Sequence, residues 1–224
     1  SVTNVSMDEN HNMIRDGVVQ IINKADESAI EAALRLKGED GCVTVITMGR
    51  KSSEEALRSL IARGVDNVVL VCDKDFAGAD TLATANTLAT AIKHIGDFDL
   101  ILCGRQATDG ETGQVPPELA TILNIPFVTN VTKINIDQKL LLCNRFLEDG
   151  IEVLSLSTPA LISLCEYSYA LRFSSIMGLR NAKKSNVRKL SREELGMNKD
   201  NCGLRGSPTR VKRIPKQLSG LRDV

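Results

Sequence analysis

Two loops carry the residue types that hold a phosphorylated ligand. The run Gly104-Arg105-Gln106-Ala107-Thr108-Asp109-Gly110-Glu111-Thr112-Gly113-Gln114-Val115-Pro116-Pro117 sets small residues, hydroxyls and an amide just before a helix opened by prolines. Backbone amides and hydroxyls there can surround a phosphate, while Gln114 or Asp109 reads a ribose or base. A tight turn built on Asp109-Gly110 explains the same residues without a ligand. The second loop, Phe76-Ala77-Gly78-Ala79-Asp80-Thr81, also feeds a helix whose first turn can meet an anion. Asp80 fits equally well as the cap of that helix. Neither loop is a G-x-G-x-x-G dinucleotide fingerprint, and no Walker pattern occurs.

Residues for hydrolytic or metal chemistry are scarce. The two histidines, His11 and His94, stand in a polar turn and near the end of a helical run, so a Ser-His-Asp arrangement or a histidine metal site finds no support. The pairs Glu54-Glu55 and Glu193-Glu194 open helical patterns, where they favour the helix dipole. The six cysteines lie more than 20 residues apart and form no C-x-x-C pair, which argues for reduced, buried thiols in a cytoplasmic protein. No catalytic nucleophile or metal ligand is assigned. Any redox chemistry must be carried by a bound cofactor that the protein orients.

The elements that position these loops alternate. Ser28 to Leu36 has helical spacing and stops at Gly38; Cys42 to Met48 is a β-branched strand; Ser53 to Leu57 opens a helix. Val68 to Val71, Leu100 to Cys103 and Phe127 to Val131 continue the strands, with helices at Thr81 to Ile95 and Pro117 to Leu123. This order specifies an α/β domain with a right-handed, mostly parallel sheet covered on both faces. In such sheets ligands collect beyond the carboxyl ends of the strands, so the loop after Met48-Gly49 joins the other two as a candidate. Lys139 to Phe146 and Ile151 to Leu156 flank Glu148-Asp149-Gly150 as a β-hairpin, and Ala160 to Leu164 offers one more strand.

Composition agrees: apolar residues make up 42% of the 224 and aromatics 3%, so Ala, Val, Ile and Leu must build the core. Charge is balanced overall but uneven. Residues 1–170 hold 14 basic and 24 acidic side chains, whereas 171–224 hold 14 and 4. The expected division is an α/β nucleotide-binding domain over 1–170 and an extended basic arm over 171–224 that wraps an acidic partner. A nucleic-acid partner is not expected, because Phe173 is the one stacking ring beyond Arg172. No apolar stretch reaches membrane-spanning length, and residues 1–20 lack a signal pattern.

Three runs carry a family likeness: Phe76-Ala-Gly-Ala-Asp-Thr-Leu-Ala-Thr84, Leu102-Cys-Gly-Arg-Gln-Ala-Thr-Asp-Gly-Glu-Thr-Gly-Gln114 and Ile176-Met-Gly-Leu-Arg-Asn-Ala-Lys-Lys184. Together they resemble the β subunit of electron transfer flavoproteins over nearly the whole chain. The resemblance implies a doubly wound, Rossmann-like fold and a heterodimer with an α subunit that carries its own FAD. It implies a nucleotide at the strand ends, either FAD or a structural AMP. The form Asp109-Gly-Glu-Thr-Gly-Gln114-Val-Pro-Pro117 is similar to the FAD-binding, electron-bifurcating branch. There the β-bound FAD takes a hydride from NADH and sends one electron to ferredoxin or flavodoxin. The other goes through the α-subunit FAD to a partner dehydrogenase, of acyl-CoA or lactate type, in an anaerobic bacterium.

Carried over by position, the resemblance places Asn23 and Asp26 near the adenosine half, Met48 and Gly49 at the base, and Asp80 and Thr81 toward the flavin. Asp109, Gly110, Glu111, Thr112, Gly113, Gln114 and Val115 would hold ribose and pyrophosphate. For Met48 a core position at the strand end is the plainer reading. The family's Asn-Pro-x-Asp stands here as Asn23-Lys24-Ala25-Asp26. Its opening strand and Lys-Gln-Val-Pro-Asp segment are expected to precede Ser1. A rival from another class is a stand-alone, homodimeric ATP-binding module of the stress type, which the same alternation of elements would serve.

Overall fold

The computed structural model describes residues 6–7, 13–14, 21–108, 110–138 and 140–210. The expected turn at Asp8 to Asn12, His11, Asp109 and the end of the arm beyond Arg210 lie outside the described residues. Ser6–Met7 (β1) and Met13–Ile14 (β2) pair antiparallel.

Helix α1, Lys24–Leu36, begins four residues before the predicted start and is capped by Lys37, with Gly38 following at φ 64°. Strand β3 (Thr44–Met48), helix α2 (Ser53–Ile61) and strand β4 (Asn67–Val71) come next. A short 3₁₀ turn at Lys74–Phe76 leads to α3 (Thr81–Ile95), then to β5 (Leu100–Gly104) and α4 (Val115–Leu123). Strands β6 (Phe127–Asp137), β7 (Leu140–Leu147), β8 (Gly150–Ser157) and β9 (Ala160–Leu164) follow. Helix α5 (Ile176–Lys184), strand β10 (Arg188–Leu190) and the short helix α6 (Gly203–Gly206) close the described chain.

The strands form an all-parallel sheet in the order β10-β4-β3 and a mixed sheet in the order β5-β9-β6-β7-β8. In the second, β5, β9 and β6 are parallel, and β6 runs on into an antiparallel meander with β7 and β8. The hairpin is where the sequence placed it. Strand β9 is buried at every position because it lies between β5 and β6 and is covered on both faces.

Two helices tie the sheets together. Ala29 and Ala32 of α1 pack with Val128, Val131 and Ile162 of the mixed sheet, while Ile30 and Leu34 of the same helix pack with Val68, Leu70 and Leu57. Their three- and four-residue spacings set two apolar stripes on one helix, which explains why so much of α1 is buried. On α3, Ala85 and Ala89 reach Leu119, Ala120 and Leu161, with Ile46 of β3 and Ile101 of β5 against the same cluster. Alanines on that face allow α3 to lie close against α4.

The described part of the basic segment, residues 171–210, packs in part on the α/β domain. Arg188–Leu190 adds to the sheet parallel to β4, and Val187, Leu190, Leu195 and Cys202 are buried. The acidic surface it seeks is in part its own: Arg192 and Lys199 pair with Asp75 at 3.0 and 3.2 Å, and the Arg192 N–H donates to Asp73 at 3.0 Å. The sparse apolar residues are spaced to bury one at a time, a pattern that neither strand nor helix periodicity detects. Ser191 and Glu194 bond reciprocally as the capping signature requires, but the segment they open closes as a turn rather than a helix.

Candidate functional site

The three candidate loops follow β3, β4 and β5, at the carboxyl ends of parallel strands, where α3 and α4 begin. The two helix starts are joined directly: the Thr81 hydroxyl donates to Glu118 Oε1 at 3.0 Å. The other carboxylate oxygen of Glu118 is buried without a protein partner.

The loop after β5 is held from both ends. Glu111, at φ 48°, donates its N–H to Ala107 O at 3.0 Å, and Gly113 turns at φ 64°, where a Cβ would lie 3.5 Å from Arg105 O. At α4 itself amides are few. Pro116 and Pro117 carry no N–H and the Glu118 N–H is bonded to Gln114 O, which leaves Val115 as the first-turn donor. An anion here must therefore be held by loop amides more than by the helix end. Gly110, Glu111, Thr112 and Gln114 are exposed and Gly113 and Val115 half-buried.

Beside this loop lies a cavity of about 420 Å³ lined by Arg105, Gln106, Thr112, Gly113, Pro117, Phe127, Thr129 and Asn130. Arg105 pairs with Glu166 at 3.3 Å through one terminal nitrogen, while its Nε is buried with no protein acceptor. Asn130 sits at φ 59° in the stretch where the pairing of β6 with β9 shifts register. Arg105, Phe127, Thr129 and Asn130 were absent from the predicted site. The last three belong to the next strand, and only the β5-β9-β6 strand order brings them there.

Asn23 and Asp26 meet the same loop from its α1 side. Asn23 Nδ2 donates to Gln106 O at 2.7 Å and to Asp26 Oδ2 at 3.2 Å, and Asn23 Oδ1 accepts from the Thr108 hydroxyl at 3.1 Å. Asp26 Oδ1 accepts the Gly104 N–H at 2.7 Å. Burial pushes the Asp26 carboxyl above its ordinary range, against the pull of the bonds from Gly104 and Asn23.

The β4 loop is clasped by the C-terminal segment. Asp80 caps α3 by accepting the Ala83 N–H at 3.0 Å, and its other oxygen accepts the N–H and hydroxyl of Thr209 at 3.0 and 2.8 Å. Ser207 Oγ accepts the Asp80 N–H at 2.8 Å. Burial alone would raise Asp80, but these bonds overbalance it and hold the carboxyl below the usual range. Met48 packs with Val69, Val71, Phe76 and Ala91, as a strand-end core residue does. Gly49 donates its N–H to Val71 O at 3.0 Å, and a Cβ there would lie 2.7 Å from Ser53 Oγ. The predicted residues thus fall into separate groups: Asn23 and Asp26 behind the β5 loop, Thr112 and Gly113 in the cavity, Asp80 and Thr81 at α3, Met48 and Gly49 at the end of β3.

The Electron transfer flavoprotein domain model matches residues 11–195. An electron transfer flavoprotein subunit beta of Thermoanaerobacterium thermosaccharolyticum is 44% identical over 201 residues, 89% of this chain and 77% of that protein. The chain belongs to the electron transfer flavoprotein family, among its β subunits. A second relative, caffeyl-CoA reductase-Etf complex subunit CarD of Acetobacterium woodii, is 41% identical over 203 residues, covering 90% of this chain and 78% of its own. Acryloyl-CoA reductase electron transfer subunit gamma of Anaerotignum propionicum is 39% identical over 216 residues, 92% and 80% of the two chains. Electron transfer is therefore the family's activity and this chain's class. Among the described residues no group of His, Cys, Asp and Glu could hold a metal, and no helix is long and apolar enough to cross a membrane.

Proposed function

We propose that this chain binds FAD at the β5 loop and pairs with an electron transfer flavoprotein α subunit that carries a second FAD. The observation that supports a nucleotide there is the combination of the cavity beside the loop with the buried Arg105 Nε that lacks an acceptor. A diphosphate supplies the missing acceptor and the negative charge, and the hydroxyls of Thr112 and Thr129 suit ribose or phosphate oxygens. Bound FAD would accept a hydride from NADH and pass electrons singly, one to ferredoxin or flavodoxin and one through the α-subunit FAD to a dehydrogenase.

The chain's own residues bind and orient. The amides of Gly110 through Val115 would hold the diphosphate, in a loop that Glu111 and Gly113 turn through left-handed conformations. Asp80 and Thr81 set the start of α3 against α4 through Glu118. Beyond Arg172, Phe173, Ile176 and Met177 stand 95%, 90% and 65% exposed, which favours a protein partner on this segment. Relatives named for caffeyl-CoA and acryloyl-CoA reductases favour an acyl-CoA dehydrogenase as that partner over one of lactate type. The placement is cytoplasmic.

Release of nucleotide from the denatured α/β complex tests this. Two FAD per heterodimer is the expected result. One FAD with one AMP would replace the bifurcating assignment by the structural-AMP one, and a single FAD with no second nucleotide would overturn the site.

A further inference from the structure

Helix α5 has almost no apolar face on its own domain. Of its nine residues Ala182 alone is buried, while Ile176, Met177 and Leu179 stand exposed on it and Phe173 just before it. Isolated helices shorter than about 12 residues are marginal in water, so α5 needs support that burial does not give. That support comes from α2. Ser175, the N-cap residue, accepts the Gly178 N–H on its hydroxyl at 2.9 Å and donates its own N–H at 3.3 Å to the carbonyl of Ala62, the C-cap residue of α2. Gly178 sits so close to the same carbonyl that a Cβ there would overlap it. At the other end of α5, one terminal nitrogen of Arg58 donates to Ala182 O at 3.4 Å and to Ser185 O.

Arg58 is itself held in place. Its second terminal nitrogen donates to Glu54 Oε1 at 2.8 Å, one turn earlier on α2, and Glu54 Oε2 pairs with Lys189 of β10 at 2.7 Å. The guanidinium therefore spans from Glu54 to the last carbonyls of α5, groups that a helix end leaves without partners of its own. A positive charge at that end also suits the helix dipole. Lysine, a single point charge, lacks the planar fork needed to serve both sides at once.

We propose that Arg58 is a positioning residue for electron exchange with the partner protein: it caps α5 from the neighbouring helix and so holds Ile176, Met177 and Leu179 in place before the partner arrives. This rests on the reading above that the segment meets a dehydrogenase. The charges around those side chains define the surface they fit. Arg180, Lys183 and Lys184 are exposed on the same helix, so the complement is an apolar pocket rimmed by carboxylates. Without the cap, α5 would have to be ordered at the moment of binding, which weakens association and leaves the chemistry within the complex as it was.

The test uses the complex with the α subunit, nucleotides bound, and an acyl-CoA dehydrogenase as electron partner. Wild type is compared with Arg58→Ala, Arg58→Lys and Ile176→Ser. The readouts are KM for the dehydrogenase, kcat, amide hydrogen exchange over 176–184 and flavin content. Arg58→Ala should exchange faster over 176–184 and raise KM roughly tenfold, with kcat and flavin content unchanged. Arg58→Lys should fall between it and wild type, and Ile176→Ser should raise KM with exchange unchanged. Faster exchange with unchanged KM in Arg58→Ala would overturn the proposal. A higher KM with unchanged exchange would overturn it too, since Arg58 would then touch the partner itself. If Ile176→Ser raises KM and Arg58→Ala does not, the docking reading stands and the role of Arg58 fails. If Ile176→Ser leaves KM unchanged, the docking reading fails and the proposal with it. Should Arg58→Ala lose flavin or not fold, Arg58→Lys, which keeps the charge beside Glu54, carries the same decision.

Discussion

Replacing Glu31 by Gln should cost about 3 kcal/mol, because the carboxylate is an interior anchor shared by two guanidinium groups. Its side chain is 4% exposed and accepts from Arg35 Nε at 2.8 Å, and from Arg172 N, Nε and a terminal nitrogen at 3.1, 3.0 and 3.2 Å. A fully buried network of this kind would be worth more. The partners are 55% and 44% exposed, so solvent screens part of the attraction and lowers the figure. Glutamine keeps the volume but turns a donor toward a donor on one side. For a chain of this size the loss corresponds to a fall of about 6–12 °C in Tm. Burial pushes the Glu31 carboxyl up, but the bonds from Arg172 and Arg35 outweigh it and leave it below its ordinary value. A carboxyl depressed in the folded state stabilises above its unfolded pKa and loses that contribution as pH falls through the folded one. The gap between wild type and Glu31→Gln should therefore be widest near neutrality and close below about pH 4. Urea melts of both proteins across pH check this. A gap under about 1 kcal/mol at pH 7, or one that does not narrow in acid, would refute the anchor.

Gly104→Ala should destabilise by at least about 2 kcal/mol and loosen the loop, since its methyl would meet Asp26 and Ala25 below contact distance; differential scanning calorimetry reads it. Asp80→Ala removes both the cap of α3 and the clasp on Thr209, so a loss of about 1 kcal/mol or more should come with faster proteolysis after residue 203. Thiol titration at neutral pH should label Cys42 first, because it is exposed. Cys143, buried and pushed up to about 11, should react only on unfolding, as should buried Cys202.

What the sequence made legible was whatever repeats at the period of a helix or strand. The strands at 44–48, 67–71, 100–104 and 160–164 and the hairpin are continuous or alternating apolar runs, and the structure has each of them. The packing of the described C-terminal segment was not legible for the opposite reason. Val187, Leu190, Leu195 and Cys202 are too widely spaced to form a stripe, so their burial depends on β10 pairing with β4, a contact over more than a hundred residues. Part of its basic charge meets Asp73 and Asp75 on the chain's own loop, a pairing that a linear reading does not supply. At the site, loop glycines signalled the turn at Gly113, but Glu111 takes a left-handed conformation that its residue type does not announce. Phe127, Thr129 and Asn130 reach the cavity through strand order alone, which a linear reading does not supply.

The prolines that begin α4 explain why this site needs outside support. A helix start normally offers several free amides in fixed array, whereas Pro116 and Pro117 remove two of them and the Glu118 N–H already makes the first helical bond, to Gln114 O. Binding is thereby transferred from a rigid helix end to an irregular loop, and each loop residue held in one conformation costs about 1–2 kcal/mol of backbone entropy. Internal bonds meet little of that cost: the Glu111 N–H to Ala107 O contact closes the loop, and the Gln114 N–H is 3.5 Å from the Thr112 hydroxyl. The remaining restraint comes from Asn23 and Asp26, which bond the loop at Gly104, Gln106 and Thr108. A loop of this composition free of those bonds would still carry the right groups, but it would have to be ordered by the ligand at the ligand's expense.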